Sequence, residues 1–248
     1  MAKELYPRCG RCAKMVCHPA IRADEAPPFD EMPPFCPMRL HAELIEKTVM
    51  EYDKPEVKEF ARLASVQEFE CYEWTEEGLR TKIPRIEETI QFADKCGYHR
   101  LGIAFCAGLR NEAQMLTDIL ENKGFQVVSV CCKAGAMAKE RIGIKPEQKI
   151  RGSVNWESMC NPVFQAEILN AETVDLAVML GLCVGHDTLF IKYCHVPITV
   201  LAVKDRVTGH NPLAALYLSQ SPYYRRLRAK KEVTIQVQGS GVHGSRLD

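Results

Sequence analysis

Long hydrophobic runs are missing from this sequence, which excludes an ordinary membrane-spanning helix. No stretch approaches the roughly 18 apolar residues that a span requires, because each apolar run soon ends in cysteine, glycine or a charged residue. The first eight residues, Met1 to Arg8, also lack the apolar run of a secretory signal. We therefore expect a cytoplasmic protein with no membrane partner.

An excess of charge of either sign is also missing. The chain has 32 basic and 32 acidic residues, so it has no general electrostatic attraction for nucleic acid. Residues 133–158 are locally basic and could form a lid, an entry for an anionic substrate or only a solvated face. This stretch has almost none of the aromatic side chains that stack on bases, so we expect no nucleic-acid partner.

The common nucleotide and hydrolase motifs are absent too. The sequence contains no Gly-x4-Gly-Lys-Ser/Thr loop, no Gly-x-Gly-x-x-Gly after its first buried strand, no His-Glu-x-x-His and no Gly-x-Ser-x-Gly. An obvious nucleotide or dinucleotide site is therefore not expected.

Cysteine, in contrast, is abundant. Twelve cysteines make up about 5% of the 248 residues, which is below the ~8–10% typical of a disulfide scaffold. In a reducing cytosol, such cysteines favour metal binding or thiol chemistry over disulfides. We therefore expect a metalloprotein.

Four of these cysteines lie close together near the N-terminus. The motif is Cys9-x2-Cys12-x4-Cys17, followed after eighteen intervening residues by Cys36-Pro37. A Cys-x2-Cys turn lets two thiolates converge, and two more complete four-sulfur ligation. We expect a 4Fe–4S cluster; zinc stays the alternative, although its sites more often come as paired Cys-x2-Cys knuckles. His18 could replace a cysteine ligand but is more typical of a solvent-facing residue.

The remaining chain predicts a helical segment followed by an α/β domain. Apolar residues recur at helical spacing through residues 39–97, after which short apolar strands alternate with helices. We expect a doubly wound, Rossmann- or flavodoxin-like parallel sheet. The predicted parts are a cysteine-rich module, the helical segment, the α/β domain and a tail: residues 1–38, 39–97, 98–231 and 232–248.

Further cysteines follow the predicted strands of this domain. Cys106 follows the first strand, Cys131 and Cys132 follow the second, Cys183 follows the third, and Cys160 precedes a helix. Carboxyl ends of parallel strands share one edge, where ligands bind. Each cysteine alone is better explained by packing, but together they predict a cofactor site formed by Cys106, Cys132, Cys160 and Cys183. Cys131 and Cys132 face opposite sides if the strand continues, so only one of them is expected at the site, and we choose Cys132.

Two polar residues follow Cys183 at a predicted helix start. Asp187 is expected to cap the helix. His186 is a candidate general acid or base, or a metal ligand, although a surface histidine is an equally good explanation. No other catalytic residue is indicated.

These motifs together resemble a known family. The carriers are the N-terminal cysteine motif, Ile103-Ala104-Phe105-Cys106-Ala107-Gly108-Leu109, Cys131-Cys132-Lys133, Met159-Cys160-Asn161-Pro162 and Gly181-Leu182-Cys183-Val184-Gly185-His186-Asp187. The chain resembles, up to about residue 205, the cysteine-rich family catalogued as domain of unknown function 1847. The resemblance implies a metal-binding protein of a kind typical of anaerobic bacteria and archaea, and it implies no reaction.

Three functions remain open from the sequence. The first is an iron–sulfur enzyme with one or two 4Fe–4S clusters, the second cluster or metal binding a small-molecule substrate. The second is an electron-transfer or cluster-carrier protein with a redox partner protein. The third is a zinc-binding regulatory or storage protein. Whether the protein is an enzyme stays undecided at this point.

Overall fold

A computed structural model describes residues 5–18, 29–152 and 154–229. The chain divides between Gly97 and Tyr98 into two compact units, here called the N-terminal and C-terminal units. The predicted tail, residues 232–248, and residues 19–28 of the predicted cysteine-rich module lie outside the described residues.

The N-terminal unit contains short helices and one hairpin. Its elements are α1 (Pro37–Leu40), α2 (Ala42–Tyr52), α3 (Pro55–Glu70), β1 (Tyr72–Thr75), β2 (Gly78–Thr81) and α4 (Arg85–Lys95). Pro37 and Pro55 stand at helix starts, where a missing N–H costs no hydrogen bond. The antiparallel hairpin β1–β2 was not predicted, because the sequence pattern indicated helices throughout residues 39–97.

The C-terminal unit contains a four-stranded parallel sheet. Its strands are β3 (Arg100–Phe105), β4 (Gln126–Cys131), β5 (Leu176–Leu180) and β6 (Ile198–Ala202). They are arranged in the order β4-β3-β5-β6, and every neighbouring pair is parallel. The predicted α/β class with a parallel sheet is therefore confirmed.

Helices connect and follow these strands. They are α5 (Arg110–Asn122), α6 (Pro162–Ala171), α7 (His186–Tyr193) and α8 (Pro212–Tyr217). The predicted cap of α7 is wrong: Gly185 precedes the helix, and the Asp187 carboxylate lies in its first turn, accepting from the Thr188 N–H at 2.7 Å. A short 3-10 turn, Arg225–Arg228, lies near the C-terminal end of the described residues. Among the described helices, none has the length and apolar character needed to cross a bilayer.

Helices α6 and α7 pack against one face of the sheet. A Cβ at Gly102 would lie 2.9 Å from Leu169 of α6, so Gly102 and, by strand alternation, Ala104 face this helix. The same buried core contains Val130, Cys132 and Phe190 of α7. If the side chains keep alternating beyond the end of a strand, every second residue there lies on the same side of the sheet as α6.

The long connection 133–158 between β4 and α6 is held by its own contacts. Its two ends pair as antiparallel backbone, with the Met159 N–H donating to Met137 O at 2.8 Å. Lys139 pairs with Glu157 at 2.5 Å, and the buried Lys149 ammonium bonds Glu140. Two of the basic residues that could have admitted an anion are therefore neutralised within the connection.

Candidate functional site

The four N-terminal cysteines line one cavity. Cys9, Cys12, Cys17 and Cys36 border a largely apolar space of about 100 Å³ together with Met15, Val16, Phe35 and neighbouring prolines. A water molecule needs only ~10–15 Å³ measured in this way, so the space is large enough for a group of several atoms. The sequence prediction that these four residues form one site is consistent with this placement.

Local turns bring the four thiols to this cavity. The Cys12 N–H donates to Cys9 O at 3.0 Å, which closes the Cys-x2-Cys turn. Met15 has a φ of +43°, and this left-handed residue turns the chain back before Cys17. Cys36 precedes α1, and the Arg8 N–H donates to Phe35 O at 3.4 Å, which ties the two cysteine-bearing segments together.

One backbone donor already points at a thiol of this cavity. The Met15 N–H lies 3.4 Å from Cys12 Sγ, and such N–H···S bonds stabilise a thiolate that binds metal. His18 is exposed and does not border the cavity, in agreement with its interpretation as a solvent-facing residue.

The sheet-edge thiols are brought together only in part. Cys106 follows β3, Cys132 follows β4 and Cys160 precedes α6; the Cys132 thiol is within hydrogen-bonding reach of the other two. Cys132 is 2% exposed, and its sulfur accepts the Ala107 N–H at 3.3 Å. Cys131 ends β4 on the opposite face of the strand and takes no part in this group. We call Cys106, Cys132 and Cys160 the thiol trio.

Hydrogen bonding shifts the pKa values of the three trio thiols in different directions. The single Cys132 proton can be donated to either neighbour, which lowers the pKa of Cys106 and of Cys160 and raises the pKa of Cys132. Lys204 lowers the pKa of Cys106 further, and Lys133 and His186 lower that of Cys160. In contrast, burial raises the pKa of Cys71 and Cys194, as expected for packing thiols.

Cys183, the fourth predicted ligand, has a different partner. Its sulfur lies 2.9 Å from Nη2 of Arg206, on the segment that follows β6. The Lys204 N–H donates to Leu182 O at 3.3 Å, so the segments after β5 and β6 run side by side at this edge. His186 opens α7 and is half-buried near Cys160.

A buried glutamine binds the strand ends that precede two cysteines of the trio. Gln165 of α6 is fully buried, and its Nε2 donates to Val130 O at 2.7 Å and to Phe105 O at 3.1 Å. Phe105 directly precedes Cys106, and Val130 lies two residues before Cys132. One side chain therefore joins the ends of β3 and β4 to the helix that follows Cys160. Its Oε1 has no hydrogen-bond partner among the described atoms.

Three residues of this site were missed from the sequence. Lys204 and Arg206 follow β6, so the rule that found the cysteines at the other strand ends would have found them as well. Gln165 left a weaker signal, a lone polar residue at a core position of an apolar helix.

In neither group do the cysteine thiols converge on a single position that a metal ion could occupy. In residues 5–18, 29–152 and 154–229, no three His, Cys, Asp or Glu side chains form a group that could hold a single metal ion as they stand. The N-terminal thiols border a space, and the trio forms a chain of contacts with Cys132 in the middle. A cysteine thiol can change its direction by moving between staggered rotamers, so both groups can adjust to a bound group.

Comparison with known proteins identifies relatives. The family model described as protein of unknown function (DUF1847) matches residues 36–201, beginning at Cys36. An uncharacterized protein of Methanocaldococcus jannaschii, MJ0455, is 37% identical over 210 residues, which cover 85% of this chain and 93% of that protein. The family resemblance drawn from the sequence is confirmed over residues 36–201, a range that does not include Cys9, Cys12 and Cys17; metal binding, which the family's description does not mention, stays a prediction.

Proposed function

Because the chain belongs to the DUF1847 family, whose description gives no activity, we propose from its own residues that it is an iron–sulfur protein. A 4Fe–4S cluster on Cys9, Cys12, Cys17 and Cys36 is the first part of the proposal. The observation that carries it is the cavity of about 100 Å³ that these four cysteines border together.

The cavity favours a cluster over a single zinc ion. Thiolates around zinc lie about 2.3 Å from the ion, which in a tetrahedron sets the sulfurs only ~3.8 Å apart and leaves no space between them. Four cysteines that border a space of several atoms match ligands of a larger inorganic group. The Met15 N–H directed at Cys12 Sγ suits a sulfur that stays an anion.

The exposure of two ligands favours electron transfer as the role of this cluster. Cys9 and Cys17 are exposed, so a cluster held by them would lie close to solvent and within reach of a redox partner protein. Burial and hydrogen bonds to sulfur set the potential of such a cluster.

A second cluster or metal at the sheet edge is the other part of the proposal. The thiol trio supplies adjacent sulfur ligands, and the cations beside it suit a site that also takes a small-molecule substrate. A bound metal would act there as a Lewis acid, and His186 would be the nearby acid or base. The protein would then be an enzyme as well as an electron carrier.

The doubly wound fold is part of the same proposal. The first strand of the C-terminal unit, β3, lies inside the sheet, and later strands are added on both sides of it. In such sheets the order reverses at a switch point, here between β3 and β5, and ligands bind outside the strand ends at that point. Cys106 and Cys183 follow these two strands.

Metal analysis tests the proposal. The full chain is purified without oxygen, and iron, acid-labile sulfide, zinc and the visible absorption spectrum are measured. We expect a brown protein with about eight iron and eight sulfide per chain, from two clusters.

Two other outcomes of the metal analysis would change the proposal. About four iron and four sulfide would limit the protein to one cluster, and the Cys12→Ala and Cys160→Ala variants would tell which group binds it. A colourless protein that contains zinc and no sulfide would overturn the iron–sulfur proposal and support a zinc-binding regulatory or storage protein.

A further inference from the structure

The fourth sheet-edge cysteine is separated from the trio by its partner. Cys132 contacts Cys106 and Cys160, whereas Cys183 Sγ is bonded by Arg206. We infer that the sheet-edge metal has three cysteine ligands, and that its remaining position takes a small oxyanion, a carboxylate or phosphate group, held by Arg206 and Lys204. This inference rests on the proposed metal site and specifies its ligand.

The cations at this edge differ from those of the neighbouring connection. Lys139 and Lys149 each have a carboxylate partner, Glu157 and Glu140. Within the part of the chain that the structure describes, no ion pair with a carboxylate is found for Lys204, Arg206 or His186. Each of them lies near a thiol instead: Lys204 near Cys106, Arg206 near Cys183 and His186 near Cys160.

The nearby acidic residues are occupied elsewhere. The Asp205 carboxylate accepts the N–H groups of Val207 and Thr208, and Asp187 accepts that of Thr188. Both therefore cap local turns. Once the thiolates bind a metal, Lys204 and Arg206 have no carboxylate partner left among the described residues.

The geometry of the two cations suits an oxyanion. Arg206 uses Nη2 for Cys183, and the guanidinium keeps further N–H donors in a planar fork that matches carboxylate and phosphate. The Lys204 ammonium reaches over two glycines, since a Cβ at Gly108 or Gly181 would lie 3.6 or 3.9 Å from Nζ. It therefore stands between the ends of β3 and β5, beside Cys106.

The first experiment asks which cysteines hold the metal. Cys160→Ala and Cys183→Ala variants are purified without oxygen beside the wild type, and iron and sulfide are counted. We expect Cys160→Ala to lose about four iron per chain and Cys183→Ala to lose none. An equal loss in both variants would make Cys183 the fourth ligand and overturn the open position, while the iron–sulfur proposal would stand. A wild-type count that Cys160→Ala does not lower would overturn the sheet-edge metal and this inference together.

The second experiment asks whether the open position takes an oxyanion. Malonate, inorganic phosphate and the uncharged malonamide are titrated into the reduced protein, and the EPR spectrum is followed. We expect malonate or phosphate to change the spectrum of the wild type, malonamide to have no effect, and Cys160→Ala to give no response. The anion that acts at lower concentration identifies the ligand as a carboxylate or a phosphate.

Charge variants connect this response to the two cations. Arg206→Gln and Lys204→Gln should raise the half-saturating anion concentration at least tenfold. Lys123→Gln is the matched control, because Lys123 is an exposed lysine that precedes β4, at the opposite edge of the sheet, and should change nothing. No response in the wild type, or equal responses in all three variants, would mean that the cations only balance the thiolates, and would overturn the inference.

Discussion

Nε2 of Gln165 lies 2.7 Å from the carbonyl oxygen of Val130, at a point with no access to solvent. The same nitrogen donates to Phe105 O, so carbonyl groups at the ends of two neighbouring strands accept hydrogen bonds from one amide group. Since Cys106 and Cys132 follow these strands, the backbone that carries both sulfurs is joined by the hydrogen bonds of one side chain. We therefore regard Gln165 as a positioning residue of the trio.

Replacing Gln165 with leucine should affect both stability and the thiol site. The variant leaves the Val130 carbonyl buried without its side-chain donor, which costs about 1–3 kcal/mol of unfolding free energy. It should also lower iron binding at the sheet edge. Denaturant unfolding and iron analysis measure the two effects. Gln67→Leu, which removes a buried glutamine of the N-terminal unit, should lower stability without lowering sheet-edge iron; an equal iron loss in both variants would contradict a positioning role.

Cys12→Ala should remove the N-terminal cluster alone. Its sulfur borders the cavity and accepts the Met15 N–H, so we expect a loss of about four iron per chain. The sheet-edge site should keep its iron and its EPR response. Cys194→Ala, which removes a half-buried packing thiol, is the control and should retain all iron. Equal iron in the Cys12→Ala variant and the wild type would contradict the assignment.

Gly181→Ala should be more damaging than an alanine at another left-handed glycine. Gly181 has a φ of +66°, and a Cβ there would lie 2.1 Å from Cδ1 of the buried Leu109. Gly124 has a φ of +92° and open space at that point, so Gly124→Ala measures the backbone cost alone. We expect Gly181→Ala to lose about 1–3 kcal/mol more in thermal or urea unfolding. Equal losses would show that Leu109 moves aside freely.

The metal-free trio should react with alkylating reagents in mildly acidic solution. The Cys132 proton, together with Lys204 and Lys133, lowers the pKa of Cys106 and of Cys160, so the trio holds thiolate at a pH where an ordinary thiol, with a pKa of ~8.5, is about 99% protonated. At about pH 6.5, iodoacetamide should therefore label these two cysteines before Cys71 or Cys194. Mass spectrometry of the digested protein locates the label, and labelling of Cys132 first would reverse the predicted order.

The sheet could be predicted from the sequence because its strands are unambiguous. Leu176–Leu180 is a run of five apolar residues, all buried, which is the pattern of a strand inside a parallel sheet. The hairpin β1–β2 could not be predicted, because its four-residue strands carry Glu73 and Arg80, whose ion pair holds them across the hairpin. Such short polar strands have no periodicity distinct from the helices beside them.

The thiol trio was partly predictable for a similar reason. Strand alternation indicated that only one of Cys131 and Cys132 lies at the site, and the structure brings Cys132 together with Cys106 and Cys160. The separate position of Cys183 depends on Arg206, a contact between segments 23 residues apart that no local pattern encodes. The role of Gln165 likewise depends on carbonyl groups 35 and 60 residues away in the chain.

The paired ends of the connection 133–158 offer a place to modify this protein. Met137 and Met159 are hydrogen-bonded neighbours, so whatever lies between them begins and ends at nearly the same place. A fluorescent domain inserted after Ile144 would leave this pairing intact, since insertions are best tolerated in exposed turns whose flanks stay anchored. Since the connection begins directly after Cys132 and ends before Cys160, such a reporter would stand beside the trio and could signal the arrival of metal by energy transfer or quenching.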